Sequence, residues 1–229
     1  MVTVAEARPS ERAQFIQKTY FHLAGAVGAF VLLEFIFFST GIANALTSFV
    51  LGSRFSWLFF LGGFALLGWL SRELTAKADS VETQYAGLGL YVVGEAVIFT
   101  PLLFVAAYFS DPNVIPTAGI LTLLLFAGLS TVALTTRKDF SFLAGFLQIG
   151  GFIALGLILC SVIFGFTLGL FFSVAMVAFA SAAILYDTSK LIHHYSTDQY
   201  VAASLELFAS VALLFWYVLR ILMALSSRR

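Results

Sequence analysis

Charge is what this sequence has least of. Only 10% of its 229 residues are Asp, Glu, Lys or Arg, where an ordinary soluble domain carries about 25%. A water-facing surface cannot be built from so few charges, and 61% of the residues are hydrophobic. The chain therefore reads as an all-α integral membrane protein. At about 20 apolar residues per crossing, its length holds roughly seven spans with short loops. That leaves a single transmembrane domain over residues 1–229, with residues 1–18 as a short polar N-terminal segment. No separate soluble domain fits. The 12 basic and 12 acidic residues cancel, so nothing points to nucleic acid, and membrane lipid is the expected surroundings.

Cysteine is nearly absent. Cys160 is alone, so no intrachain disulfide can form, and in its apolar run it reads as a small hydrophobe. Also missing are His-Glu-x-x-His, a phosphate-cradling glycine loop and paired cysteines. An intramembrane Ser/His protease would need its partners at depth together, and His22 is far from the serines within the spans. Neither an enzyme nor a bound cofactor is expected. The first apolar run has no small-residue cleavage pattern behind it, so no cleaved signal peptide is expected. Internal repeats and low-complexity segments are lacking too.

What remains is a series of apolar runs. Phe21 to Phe38 is the first span, interrupted by His22 and Glu34. Asn44, Ser48, Gly52 and Arg54 mark a loop. Trp57 to Leu70 is a shorter second span, and the charged stretch from Arg72 to Gln84 is an aqueous loop or a helix extension. Tyr85 to Tyr108 is the third span, containing Glu95 and Pro101; Asp111-Pro112-Asn113 is a turn signal. The fourth runs from Ile115 to Leu134, the fifth from Phe140 to Phe164 and the sixth from Leu170 to Tyr186. Gly165 to Gly169 connects the last two. The seventh covers Tyr200 to Leu225. Glycines cluster within spans at Gly62-Gly63, Gly87 and Gly89, and Gly150-Gly151, which suits close helix packing in lipid.

Lys and Arg collect on alternate loops: Arg8, Arg12 and Lys18; Arg72 and Lys77; Arg137 and Lys138; Lys190. The opposite side has only Arg54 before the terminus. The positive-inside rule then places the N-terminus in the cytoplasm, and seven crossings place the C-terminus outside. Arg228 and Arg229 oppose that last step, and a re-entrant final helix is the alternative.

A charged group at bilayer depth costs about 2.5–3.5 kcal/mol on insertion scales, so such groups face protein or water and often have a function. Two carboxylates flank the polar segment Ser189 to Gln199: Asp187 at the close of the sixth span and Glu206 near the start of the seventh. Together they could share a proton or offer calcium its oxygen ligands in transit. Alternatively, Asp187 merely ends a helix among headgroups and Glu206 snorkels or pairs with Lys190. Arg72, on the same side, either neutralises the pair or anchors the helix at the interface. Glu34 and Glu95 either line a polar pathway or are protonated or hydrogen-bonded to neighbouring helices. His193 and His194, in the loop beside Asp187, are titratable near neutrality or simply solvated.

Four stretches then identify a resemblance: Phe15-Ile16-Gln17-Lys18-Thr19-Tyr20, Thr135-Thr136-Arg137-Lys138-Asp139-Phe140, Ile184-Leu185-Tyr186-Asp187-Thr188, and Ala203 to Phe208 continuing through Leu214-Phe215 and Leu219-Arg220. Their order resembles the Bax-inhibitor-1 family (transmembrane Bax-inhibitor-motif proteins), in its bacterial branch, which places the chain in a bacterial cytoplasmic membrane. The resemblance implies two three-helix layers around a central seventh helix, and a pH-sensitive calcium leak. It further implies an acid pair near the cytoplasmic mouth, ending the sixth helix and on the seventh. Asp187 matches the first position. The second falls on Ser210, which is not an acid; Glu206, four residues earlier on the same helix face, is the candidate replacement. Three functions are thus in play: a pH-gated calcium leak with Asp187 and Glu206 as gate, a non-conducting regulator that binds a membrane protease or other complex, and a proton-coupled transporter using Glu34 and Glu95.

Overall fold

Breaks in the apolar sequence fall where local chemistry turns the backbone. In the computed structural model, which describes residues 4–76, 80–136 and 138–227, eight helices form among the described residues: α1 (Pro9–Ser39), α2 (Ile42–Gly52), α3 (Arg54–Ala76), α4 (Val81–Phe109), α5 (Val114–Thr136), α6 (Leu143–Phe164), α7 (Gly169–His193) and α8 (Tyr200–Ser226). Seven of them, all but α2, are long and apolar enough to cross a bilayer. Lys77, Arg137, Arg228 and Arg229 lie outside the described residues.

The helix ends follow from sequence. Pro9 opens α1, where its missing N–H costs nothing, and Glu11 accepts the Arg8 backbone N–H at 3.2 Å. Gly41, at φ +81°, turns the chain from α1 into α2, a conformation glycine adopts without a Cβ clash. Ser80 caps α4 by accepting the Thr83 N–H. Asp111 accepts the Asn113 N–H at 2.8 Å and forms the expected turn between α4 and α5.

Three boundaries differ from the sequence reading. The segment taken as a loop around Asn44 and Ser48 is the helix α2, because Ala43, Thr47 and Val50 recur at helical spacing and bury one face. The first helix also begins earlier, at Pro9 within the polar N-terminal segment rather than near Phe21, and Val4 is fully buried beside Phe15, Leu191 and Tyr195. Its N–H donates to the Tyr195 carbonyl at 2.9 Å, and Arg12 holds the Val4 and Ala5 carbonyls. Finally, α7 runs to His193 rather than closing at Thr188.

α8 is the axis of the bundle. It packs against α1, α3 and α4 on one side and α5 and α7 on the other, while α6 lies outside against α7 and α3. The layers are thus α1, α3 and α4, joined by short α2, and α5, α6 and α7. α4 and α8 are the most buried helices, whereas α6 turns nearly all its surface outward. Large apolar side chains such as Phe59, Phe109 and Phe171 stand exposed on the perimeter, a surface suited to lipid. Gly87 brings α4 against α3: a Cβ there would meet the Ser71 carbonyl, Leu74 and Thr75, each at 2.9 Å. Gly62, Gly63 and Gly89 face open space instead.

The final helix runs the length of the bundle. α8 has 27 residues, about 40 Å at 1.5 Å each, more than the roughly 30 Å of a hydrocarbon core. Ser226, at its far end, accepts the Asp111 N–H of the α4–α5 turn at 3.2 Å. The C-terminal end of α8 therefore lies on the side opposite the α7–α8 loop and Val4.

Candidate functional site

The end of the bundle where α7 hands over to α8 gathers the polar residues. α7 continues past Thr188 because Leu191 and Ile192 are apolar and buried, and Ser189 has partners across the bundle. The Ser189 hydroxyl accepts the Phe140 N–H at 2.9 Å and donates to the Lys138 carbonyl at 3.2 Å, tying α7 to the α5–α6 loop. His193 belongs to the helix and donates its Nδ1–H to the Ser189 carbonyl; His194 caps it. Asp187 therefore sits nearly two turns inside α7 rather than at its end.

Asp187 is 7% exposed and faces α8, where the equally buried Ser210 donates its hydroxyl to Asp187 Oδ2 at 2.5 Å. Glu206 lies one turn closer to the start of α8, with its Oε2 3.9 Å from Lys190 Nζ. Both of these side chains are about a third exposed (29% for Lys190, 32% for Glu206). Beyond them opens a polar recess of about 270 Å³, bounded by Arg72, Thr75, Lys190, Tyr195, Gln199 and Glu206. Arg72 stands one turn before the end of α3 and lies over the Tyr91 ring, 5.7 Å from its centroid. Arg72 and Lys190 are the cations that act on Asp187, and Glu206 is the anion.

The structure thus brings Asp187, Ser210, Glu206 and Arg72 to one end of the bundle. Glu95 extends this polar line inward. It is buried on α4 one turn beyond Tyr91, and feels the charge of Arg72. Glu34 belongs elsewhere: from α1 it accepts the Thr100 hydroxyl of α4 at 3.2 Å, while the same hydroxyl reaches the Ala96 carbonyl at 2.7 Å. Glu34 thus meets α4 at Thr100, on a face different from the one that carries Glu95.

Outside the spans, Asp139 accepts the Ser141 N–H at 2.9 Å, which holds its carboxyl below the usual range. It stands 3.9 Å from His194. Burial pushes the Tyr195 hydroxyl up, so this wall of the recess stays neutral. Among the described residues no three His, Cys, Asp or Glu side chains gather into a metal cage.

Over residues 12–228 the chain matches the family described as Inhibitor of apoptosis-promoting Bax1. It belongs to the Bax-inhibitor-1 family. An uncharacterised protein of Pseudomonas aeruginosa is 39% identical over 165 residues, covering 69% of this chain and 70% of that one. The modulator of FtsH protease YccA of Escherichia coli K12 is 30% identical over 198 residues, 84% of this chain and 86% of its own. Bax inhibitor 1 of Schizosaccharomyces pombe is 30% identical over 224 residues, 96% and 79% of the two chains.

Sequence reasoning found the acids of this Bax-inhibitor-1 family protein but not all their neighbours. Tyr91, one helical turn from Glu95, was detectable from the i, i+4 spacing. Tyr195, Thr100 and the docking of Val4 carried no local signal, since each depends on residues distant in sequence.

Proposed function

We propose that this Bax-inhibitor-1 family protein is a pH-sensitive calcium leak whose gate is Asp187 with Ser210, at the end of the bundle that the Lys/Arg distribution assigns to the cytoplasm. The single observation that supports this most is the buried Asp187–Ser210 hydrogen bond between α7 and α8. As a neutral acid, Asp187 needs little more than this partner, and the two helices stay joined. As a carboxylate it carries a charge at a depth where charge costs several kcal/mol unless compensated. It also repels Glu206 and is drawn to Arg72 and Lys190, the cations bordering the recess. Separation of the helix ends lets water and a cation reach that charge. In this reading Glu206 tunes the gate from the rim, Glu95 lies on the inward path, and calcium meets Asp187 and Glu206 only in passing.

The test uses purified protein in calcium-loaded vesicles. Flux should depend on pH, and Asp187→Asn should remove most of that dependence. Flux equal to that of protein-free vesicles at every pH would overturn the proposal.

A second reading has its own support. The Escherichia coli relative, similar over 84% of this chain, is named a modulator of FtsH protease. Regulation of a membrane protease by direct contact is the corresponding role here. Co-purification of such a protease, with no flux, favours it over the leak.

A further inference from the structure

A groove on the flank of the bundle has no part in the site above. It runs between α1 and α4, encloses about 480 Å³ and is lined almost wholly by apolar residues, including Gly25, Ala26, Ala29, Leu33, Gly89 and Val92. Glycines in membrane helices commonly admit a neighbouring helix. These do not: a Cβ built on Gly25 or Gly89 would meet nothing within 4 Å. They hollow the flank without a protein group to fill it.

The groove has one polar end. There His22 donates its Nδ1–H to the Lys18 carbonyl at 2.7 Å, which leaves Nε2 to accept the Tyr85 hydroxyl, also at 2.7 Å. The imidazole stands between two tyrosines, with ring centroids 5.4 Å from Tyr85 and 5.0 Å from Tyr200. Lys18, one turn further out, rests its ammonium over Tyr200 at 5.3 Å. Tyrosines mark the bilayer interface, and an exposed lysine beside them attracts an anionic headgroup. From His22 to Leu33 the groove runs about 16 Å along α1, half of the roughly 30 Å hydrocarbon core. It is one leaflet long. A partner's transmembrane helix would need a seat across both leaflets.

We propose that the α1–α4 groove binds one membrane phospholipid, with an acyl chain laid between Gly25 and Gly89 and an anionic headgroup phosphate beside Lys18 and the His22–Tyr85 pair. The groove opens sideways toward lipid, so the ligand enters from the leaflet itself. The lipid fills the hollow between α1 and α4.

The test is retention of lipid by the full chain after exposure to vesicles of equal phosphatidylglycerol and phosphatidylethanolamine and washing in mild detergent, read by native mass spectrometry. One lipid per chain should stay bound, with phosphatidylglycerol preferred. Gly89→Leu fills the hollow and should reduce retention about tenfold or more, the scale of discrimination by an apolar pocket. Gly156→Leu, at an equally open glycine on α6, should leave it unchanged. Lys18→Ala should abolish the headgroup preference while the chain still binds. A wild-type measurement guards against misfolding: phosphatidylglycerol carrying a diazirine in its acyl chain should cross-link residues 25–33 and 88–93. Equal retention by Gly89→Leu and Gly156→Leu, or cross-links spread evenly over α5 and α6, would overturn the proposal. So would a Gly89→Cys, Cys160→Ser protein that cross-links in membranes to a second copy or to another protein.

Discussion

Replacing Ser210 by alanine isolates the bond on which the proposed gate rests. The change removes one hydroxyl, leaves the apolar packing of α8 nearly intact, and deprives buried Asp187 of the donor at 2.5 Å. A hydrogen bond to a charged group contributes about 1.5–3 kcal/mol and one between neutral groups about 0.5–1.5. The carboxylate therefore loses about 1 kcal/mol more than the neutral acid does. Since one pH unit corresponds to about 1.4 kcal/mol, ionisation of Asp187 should need a pH higher by roughly one unit. The sign follows because the lost hydroxyl supported the charged form more than the neutral one. In calcium-loaded vesicles, flux through Ser210→Ala should keep its pH dependence with the midpoint displaced upward. In an Asp187→Asn background the same change should have little further effect, because the two side chains act as one unit. A midpoint within about 0.2 units of wild type, with flux otherwise normal, would refute the reasoning, since that is less than about a third of the roughly 1 kcal/mol difference expected.

Glu206→Gln should lower the midpoint, because a like charge is withdrawn from Asp187; with Glu206 about a third exposed, the shift should stay below about one unit, read by the same flux assay. Glu95→Gln should alter conductance or ion selectivity and leave the midpoint in place; a shift as large as that of Asp187→Asn would merge gate and pathway. Gly87→Ala should destabilise the protein by about 1–3 kcal/mol through overpacking against α3, because the Ser71 carbonyl at 2.9 Å is backbone and cannot swing aside. Gly62→Ala, with nothing within 4 Å, is the control, and thermal unfolding in detergent reads both. For orientation, a reporter fused after Arg137 should read cytoplasmic and one inserted near Pro112 external.

Sequence alone determined the solvent this protein lives in and the number of its crossings. A shortage of charge and seven long apolar runs are sums over local composition, and the bilayer reads them one segment at a time. Turn chemistry was equally local, so Asp111-Pro112-Asn113 and Gly165 marked real ends of helices. The acids worth following, Glu34, Glu95, Asp187 and Glu206, stood out because charge in such runs is costly. Their partners did not. Whether Asp187 meets Glu206 or Ser210 is decided by how far α8 is shifted along its axis against α7, since a turn of helix separates the two positions on one face. The length of α7 depended on Ser189 finding Phe140 and Lys138, some fifty residues away in the chain. Glu34 found Thr100 across 66 residues, and His22 found Tyr85 across 63. Gly87 and Gly89 are two residues apart, yet one is pressed against α3 and the other lines the α1–α4 groove. Local pattern places residues on a helix, but only the packing of helices against one another decides which face meets protein, lipid or a buried acid.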